Sequence, residues 1–248
     1  MKVIKDIAYG ELNEELADLY IPDKDNFDTI VYFHGGGIVS GSKNDETYSE
    51  IARQLAENGY GVLSVDYRMY PNARFPDFIV DCARSVAYAK NNVKAYGGSG
   101  KLYVSGQSAG AWMSLMLCLN RAYLDGVGVD ADEIAGWVID SAQTTSHFNV
   151  LQNEDKVNKR LQRIDERAPL FYVDEKTAFS RMLLIYYEND MPCRPEQNRL
   201  FWRTVKAFNK QADIEMLELK GRHCDGSSIK DDDGMYPYVK ETLKWLEA

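Results

Sequence analysis

The chain has 248 residues, 45% of them hydrophobic, with 29 Lys and Arg against 38 Asp and Glu for a formal charge of −9 at pH 7. That length suits one α/β domain with a sizeable core, and an acidic balance without any Lys/Arg cluster argues against nucleic acid or an acidic membrane as partner and for a small neutral ligand. No stretch approaches the roughly 20 apolar residues of a membrane span, and the start Met1-Lys2-Val3-Ile4-Lys5-Asp6 lacks the apolar run of a secretory leader, so a cytoplasmic location is expected.

Residues 3–9 and 16–21 read as two leading strands, and 29–33 as a short buried strand that ends at a glycine run. A regular alternation follows: helix from about 47 to 58, strand 61–65, helix from about 76 to 95, strand 102–105, then a helix through Trp112, Leu115, Met116 and Leu119. Strands at 135–139, 182–187 and 214–219 precede a closing helix at 236–246. Eight strands separated largely by helices predict an α/β fold with a mostly parallel central sheet covered on both faces, and ligands in such sheets bind at the carboxyl ends of the strands. The polar stretch 142–180 breaks the pattern, with His147-Phe148 and a helical-looking segment at 150–167; it is expected to form a small cap within a single domain spanning 1–248. Asp231-Asp232-Asp233-Gly234 resembles the start of a calcium loop but lacks the later glutamate, and reads as a solvated turn.

Two motifs carry the chemistry. Gly106-Gln107-Ser108-Ala109-Gly110 lies between the apolar strand Leu102-Tyr103-Val104 and a helix, the strand, sharp turn and helix that lift a serine hydroxyl above a sheet. His34-Gly35-Gly36-Gly37 precedes that serine by 74 residues. Composition alone gives about 0.07 such pentapeptides per chain and on the order of 0.001 such His-Gly-Gly-Gly runs, so the pair is informative where the pentapeptide by itself is not. Glycines let a backbone turn its N–H groups toward a developing oxyanion, and Gly36, Gly37 and the amide of Ala109 are the candidates for that role.

A serine hydroxyl needs a base, and the base an orienting acid. Of the three histidines, His34 belongs to the glycine run and His147 to the presumed cap, whereas His223 follows the last strand and can reach Ser108. Asp190 follows the strand through Tyr187 by three residues, 82 after Ser108 and 33 before His223, in the order serine, acid, histidine. Glu188 and Asp225 compete for the acid position. Tyr48, His147 and Phe148 are candidate pocket aromatics, with ordinary packing as the alternative. The histidine spacing offers no H-x-x-x-H or H-E-x-x-H metal motif, and no metal or cofactor is expected. Cys82, Cys118, Cys193 and Cys224 form no C-x-x-C pair; Cys193 and Cys224 each lie within three residues of a candidate catalytic residue, which raises the question of a pair between them.

With these pieces in place the chain resembles the α/β-hydrolase superfamily, in the branch of hormone-sensitive-lipase-like and small acetyl and feruloyl esterases. The matching elements are His34 to Gly37, Asp66-Tyr67-Arg68 with Pro71 and Phe75-Pro76, the pentapeptide at Ser108, Ala168-Pro169, Asp190 and His223. The resemblance implies a serine esterase acting through an acyl-enzyme, with Asp66 and Arg68 structural beneath the site and His34 bracing the glycine loop. Ile38 stands where these enzymes often carry an aromatic residue and Gln107 where the lipase-like branch often has aspartate, which leaves acyl specificity open. With only about 30 residues before the glycine run, no large N-terminal cap is expected, so the pocket should be open and shallow and suit short (acetyl-like) or aromatic acyl groups on a small-molecule ester. An amidase of the arylformamidase type and a non-catalytic binding protein on the same scaffold are the alternatives.

Overall fold

The computed structural model describes residues 1–158 and 161–248. In chain order it forms β1 (Lys2–Ala8), β2 (Leu16–Ile21), β3 (Phe27–Phe33), α1 (Glu46–Glu57), β4 (Gly61–Val65), α2 (Asp77–Asn92), β5 (Gly98–Gln107), α3 (Ala109–Leu119) and the short α4 (Ala122–Asp125). Then come β6 (Ile134–Asp140), α5 (Phe148–Glu154), β7 (Met182–Asn189), α6 (Arg194–Phe208), β8 (Ile214–Arg222) and α7 (Pro237–Glu247). One eight-stranded sheet runs in the order β1-β2-β4-β3-β5-β6-β7-β8. β2 is antiparallel to both neighbours, and every pair from β4 to β8 is parallel. This is the mostly parallel α/β sheet expected from the alternation, in the α/β-hydrolase arrangement that the resemblance implies.

The period of two along each strand divides the core. Val31, Phe33, Val104, Ile139 and Leu184 face one layer, made by α2, α3 and α6 through Phe78, Ile79, Trp112, Met116, Phe201 and Val205. Ile30, Tyr32, Tyr103, Val138 and Ile185 face the other, made by α1 and α7 through Ile51, Leu55, Tyr238, Val239 and Leu243. All five residues of β4 are buried, as a strand covered on both faces requires. α6, left unassigned by sequence reading, starts with Pro195 in its first turn and buries Phe201 and Val205, one turn apart.

The segment 142–180 departs from expectation. The helix read over 150–167 takes in Lys159 and Arg160, which lie outside the described residues; α5 ends at Glu154, and Lys156 adopts a left-handed φ of 58° that a helix cannot continue through. Beyond it Asp155 gathers Arg163 and Arg167, and the Ser146 amide donates to Arg163 O at 2.8 Å. Polar pairing, not an amphipathic stripe, orders this stretch. The Asp231–Gly234 turn is exposed, with Lys240 Nζ 2.7 Å from both Asp231 and Asp233. Among the described residues no helix is long and apolar enough to cross a membrane.

Candidate active site

Four parallel strand ends converge on one place. β5 delivers Ser108, which sits in the tight turn into α3 with φ 52° and ψ −107°, a strained setting for a residue with a Cβ. The turn closes only with glycine on both sides: a Cβ on Gly106 would lie 2.3 Å from the Gly110 carbonyl carbon, and one on Gly110 would lie 2.1 Å from Phe33 O. β6 delivers Ser141, β7 Asp190 and β8 His223.

Ser108 Oγ lies 2.8 Å from His223 Nε2. With Nε2 accepting from the serine, the proton of the ring rests on Nδ1, which is 2.5 Å from Asp190 Oδ1 and 2.8 Å from Ser141 Oγ. Ser141 Oγ in turn donates to Asp190 Oδ2, and the Met191 amide donates to Asp190 Oδ1 at 2.6 Å. The Asp190 side chain is fully enclosed while that of His223 is a quarter exposed. Burial pushes the Asp190 carboxyl up, but the His223 and Ser141 hydrogen bonds outweigh it and leave the group below the usual carboxylate range. Of the competing carboxylates, Glu188 is exposed and accepts from Asn189 Nδ2 at 3.2 Å, and Asp225 accepts from the Arg222 amide at 2.7 Å; among the described residues the carboxylate hydrogen-bonded to His223 is Asp190.

Sequence reading missed Ser141. It has φ 58°, its N–H donates to Ile185 O at 2.8 Å, and its carbonyl accepts from the buried Arg194 at 2.6 Å. These bonds aim the hydroxyl between Asp190 and His223. No motif marks it; the only clue is its place one residue past a strand that ends beside Ser108.

The glycine run forms the facing wall. Gly36 and Gly37 have φ 102° and 66°, and a Cβ on Gly36 would lie 1.9 Å from Ser40 O. Asn149 Nδ2 pins the loop by donating to Gly37 O at 2.6 Å. Among the described residues no backbone acceptor meets the N–H groups of Gly36 and Gly37, and Ala109 opens α3, where an amide has no intrahelical partner. His34 lies below, fully buried and stacked on Tyr67 with centroids 4.3 Å apart, with Nδ1 2.7 Å from Gly35 O. Burial holds its imidazole below the ordinary pKa. Asp66 accepts from the Lys43 amide at 2.6 Å and Arg68 forks onto Asp81 at 2.7 and 2.8 Å. Ile38 points into the core.

A cavity of about 520 Å³ opens over Ser108, lined by Gly36, Gly37, Tyr48, Phe148, Met191 and His223 among others. Tyr48 and Phe148 therefore border it, but His147 does not. It is buried against Trp112 and Phe148, caps α5 by accepting from the Asn149 amide at 3.2 Å, and is held by burial at a pKa of about 3. Behind the site Asp140 is sealed from solvent; Ser227 Oγ donates to it at 2.7 Å, yet burial pushes its carboxyl up to about 7. All four cysteines are free, Cys193 exposed and Cys224 buried.

The strand order and the residues at the strand ends are those of the α/β-hydrolase fold. The family described as BD-FAE matches residues 17–134. Among sequence relatives, the probable isoprenylcysteine alpha-carbonyl methylesterase ICMEL1 of Oryza sativa subsp. japonica is 27% identical over 90% of this chain and 57% of its own length. Esterase LipC of Mycobacterium tuberculosis is 27% identical over 87% of this chain and 58% of its own. The chain thus spans somewhat over half the length of these curated relatives. Esterase B from Lactobacillus rhamnosis superposes with a TM-score of 0.80 at 16% identity, covering 99% of this chain and 84% of that one. Thermogutta terrifontis esterase 2, in a form phosphoramylated by tabun, superposes with a TM-score of 0.78 at 17% identity over 98% and 93%.

Proposed function

We propose that the protein is a serine carboxylic ester hydrolase working through an acyl-enzyme, with Ser108 as nucleophile, His223 as base and then acid, and Asp190 as the group that orients the imidazole. The observation that carries this reading is the relay from Ser108 Oγ through His223 to the enclosed Asp190, with both hydrogen bonds at 2.8 Å or less. His223 Nε2 takes the Ser108 proton as Oγ bonds to the ester carbonyl carbon, and the carbonyl electron pair becomes the oxyanion. The amides of Gly36, Gly37 and Ala109 receive that charge, each donor worth ~3 kcal/mol in a dry site. The C–O bond to the alcohol then breaks as His223 returns its proton to the leaving oxygen. Water repeats the sequence on the acyl-enzyme, releasing the acid and restoring Ser108.

The open cavity and the slight 142–180 segment, read as a small cap on a single domain, support short-chain or aromatic acyl esters as substrates. Four unpaired cysteines are compatible with a reducing, cytoplasmic setting. The test is initial rates on p-nitrophenyl acetate, butyrate and octanoate and on methyl ferulate, with and without a fluorophosphonate. Turnover that the probe abolishes, that Ser108→Ala lacks, and that falls beyond butyrate is expected. Unchanged hydrolysis by a folded Ser108→Ala protein overturns the assignment.

A further inference from the structure

Behind Phe148 and Met191 lies a second cavity of about 630 Å³. The same two side chains border the cavity over Ser108, so the two spaces share a phenyl ring and a flexible thioether as common wall. Gln143 and Gln197 on its wall have their amides engaged by the chain itself. Gln143 Nε2 donates to Ser146 O at 3.0 Å and its Oε1 accepts from the Phe148 amide at 3.2 Å. Gln197 Oε1 accepts from the Thr144 amide at 3.1 Å and its Nε2 donates to Gln162 at 2.7 Å.

Arg194, on the same wall, is not satisfied in this way. Its side chain is 3% exposed; Nη1 donates to Ser141 O, and the neighbour of Nη2 is Met191 Sδ at 3.9 Å. Among the described residues no carboxylate comes within ion-pair distance of it. The nearby Asp190 commits its oxygens to His223, Ser141 and the Met191 amide. The Asp190 charge favours the guanidinium from beyond ion-pair distance but makes no hydrogen bond to it, and a ligand anion in the adjoining cavity would supply the direct, forked partner that suits a buried arginine. The two cavities also differ in what they can hold. The leaving oxygen must face His223, which of these two cavities borders the one over Ser108, so the alcohol half belongs there and the acyl half is the one free to pass Phe148 and Met191.

We propose that Arg194 anchors a carboxylate on the far end of the acyl group, so that half-esters of short dicarboxylic acids, bound across both cavities, are preferred substrates. This rests on the ester-hydrolase reading of Ser108 for the reaction, though not for the binding.

The experiment compares kcat/KM, by pH-stat, for monoethyl adipate and its neutral isostere ethyl 6-methylheptanoate, with p-nitrophenyl acetate as a reference for the reaction itself. The wild-type chain is expected to favour the half-ester about tenfold or more, and Arg194→Met to abolish that preference while Arg194→Lys retains part of it. A neutral preference in the wild type, or an Arg194→Met loss equal on both esters, overturns the proposal, because support of Ser141 alone would lower both together. Should Arg194→Met fail to fold, adipate must still inhibit p-nitrophenyl acetate hydrolysis competitively and more strongly than adipamide; equal or absent inhibition refutes the anchor. If p-nitrophenyl acetate is not turned over, the ester reading fails, and calorimetric titration of the wild-type protein with adipate and adipamide decides the anchor separately.

Discussion

Removing the Ser141 hydroxyl tests whether the third contact on the Asp190–His223 pair matters to the rate. Ser141 Oγ touches both partners, donating to Asp190 and lying 2.8 Å from His223 Nδ1. A hydrogen bond to a charged group is worth about 1.5–3 kcal/mol, and only the part that strengthens as the imidazolium forms lowers the barrier. Taking about half, ~1–1.4 kcal/mol, gives a roughly five- to tenfold fall in kcat/KM with KM little changed. The backbone supplies the control. Because Ser141 has φ 58°, Ser141→Gly removes the hydroxyl and relaxes the turn, whereas Ser141→Ala removes it and keeps the strain. Both variants should lose the same activity on p-nitrophenyl acetate, while the glycine variant is about 1 kcal/mol the more stable in urea. A glycine variant within twofold of wild-type kcat/KM would refute the reasoning, and so would losses that track stability.

Gly110→Ala places a Cβ 2.1 Å from Phe33 O, backbone that cannot step aside, so overpacking of about 3 kcal/mol and a Tm lowered by roughly 6–12 °C are expected by calorimetry. A Tm within 2 °C of wild type would contradict the close approach of α3 to β3. Asp140 carries a pH signature: its folded pKa, pushed up to about 7 from 3.8, means the folded chain binds a proton that the unfolded chain has released between those values. Stability from this group is therefore complete below about pH 4 and lost as pH rises through 7, by up to roughly 4 kcal/mol. Asp140→Asn should raise Tm relative to wild type at pH 8 and not at pH 4, and a difference independent of pH would dismiss the buried acid.

What could be read from the sequence was whatever repeats or is constrained locally. The period of two that sends Tyr32 and Phe33 to opposite layers is visible in the string, as are the glycines flanking Ser108, because each reports a constraint within a few residues. That Ser108, Asp190 and His223 meet was legible through chain order, since parallel strands bring every strand's carboxyl end to the same edge. The helix read over 150–167 failed for a related reason. Leu161 and Ile164 fall at helical spacing with Val150 and Val157, but they are 41% and 51% exposed, and Asp155 draws in Arg163 and Arg167 beyond the turn at Lys156. For His147 the sequence left pocket and packing open, and packing holds because its neighbours, Trp112 and Phe148, come together only in the fold.

Ser141 and Arg194 were invisible for a deeper reason. A serine after a strand and an arginine opening a helix are ordinary residues, and their meaning arises only where β6 lies between β5 and β7. That order sets Ser141 beside a histidine from β8 and lays its carbonyl on an arginine from α6. Under the proposed reaction the nucleophile, base and acid are residue types the chemistry demands, so they can be sought one by one; the groups that hold them in register are demanded only by the topology. The strand order joins both kinds of residue through one carbonyl, Ser141 O, whose bond to Arg194 connects the Asp190–His223 pair to the second cavity. On the proposed reading, substrate preference and relay geometry are coupled at Arg194. A variant there is interpretable only as a ratio between two esters, never as a single rate.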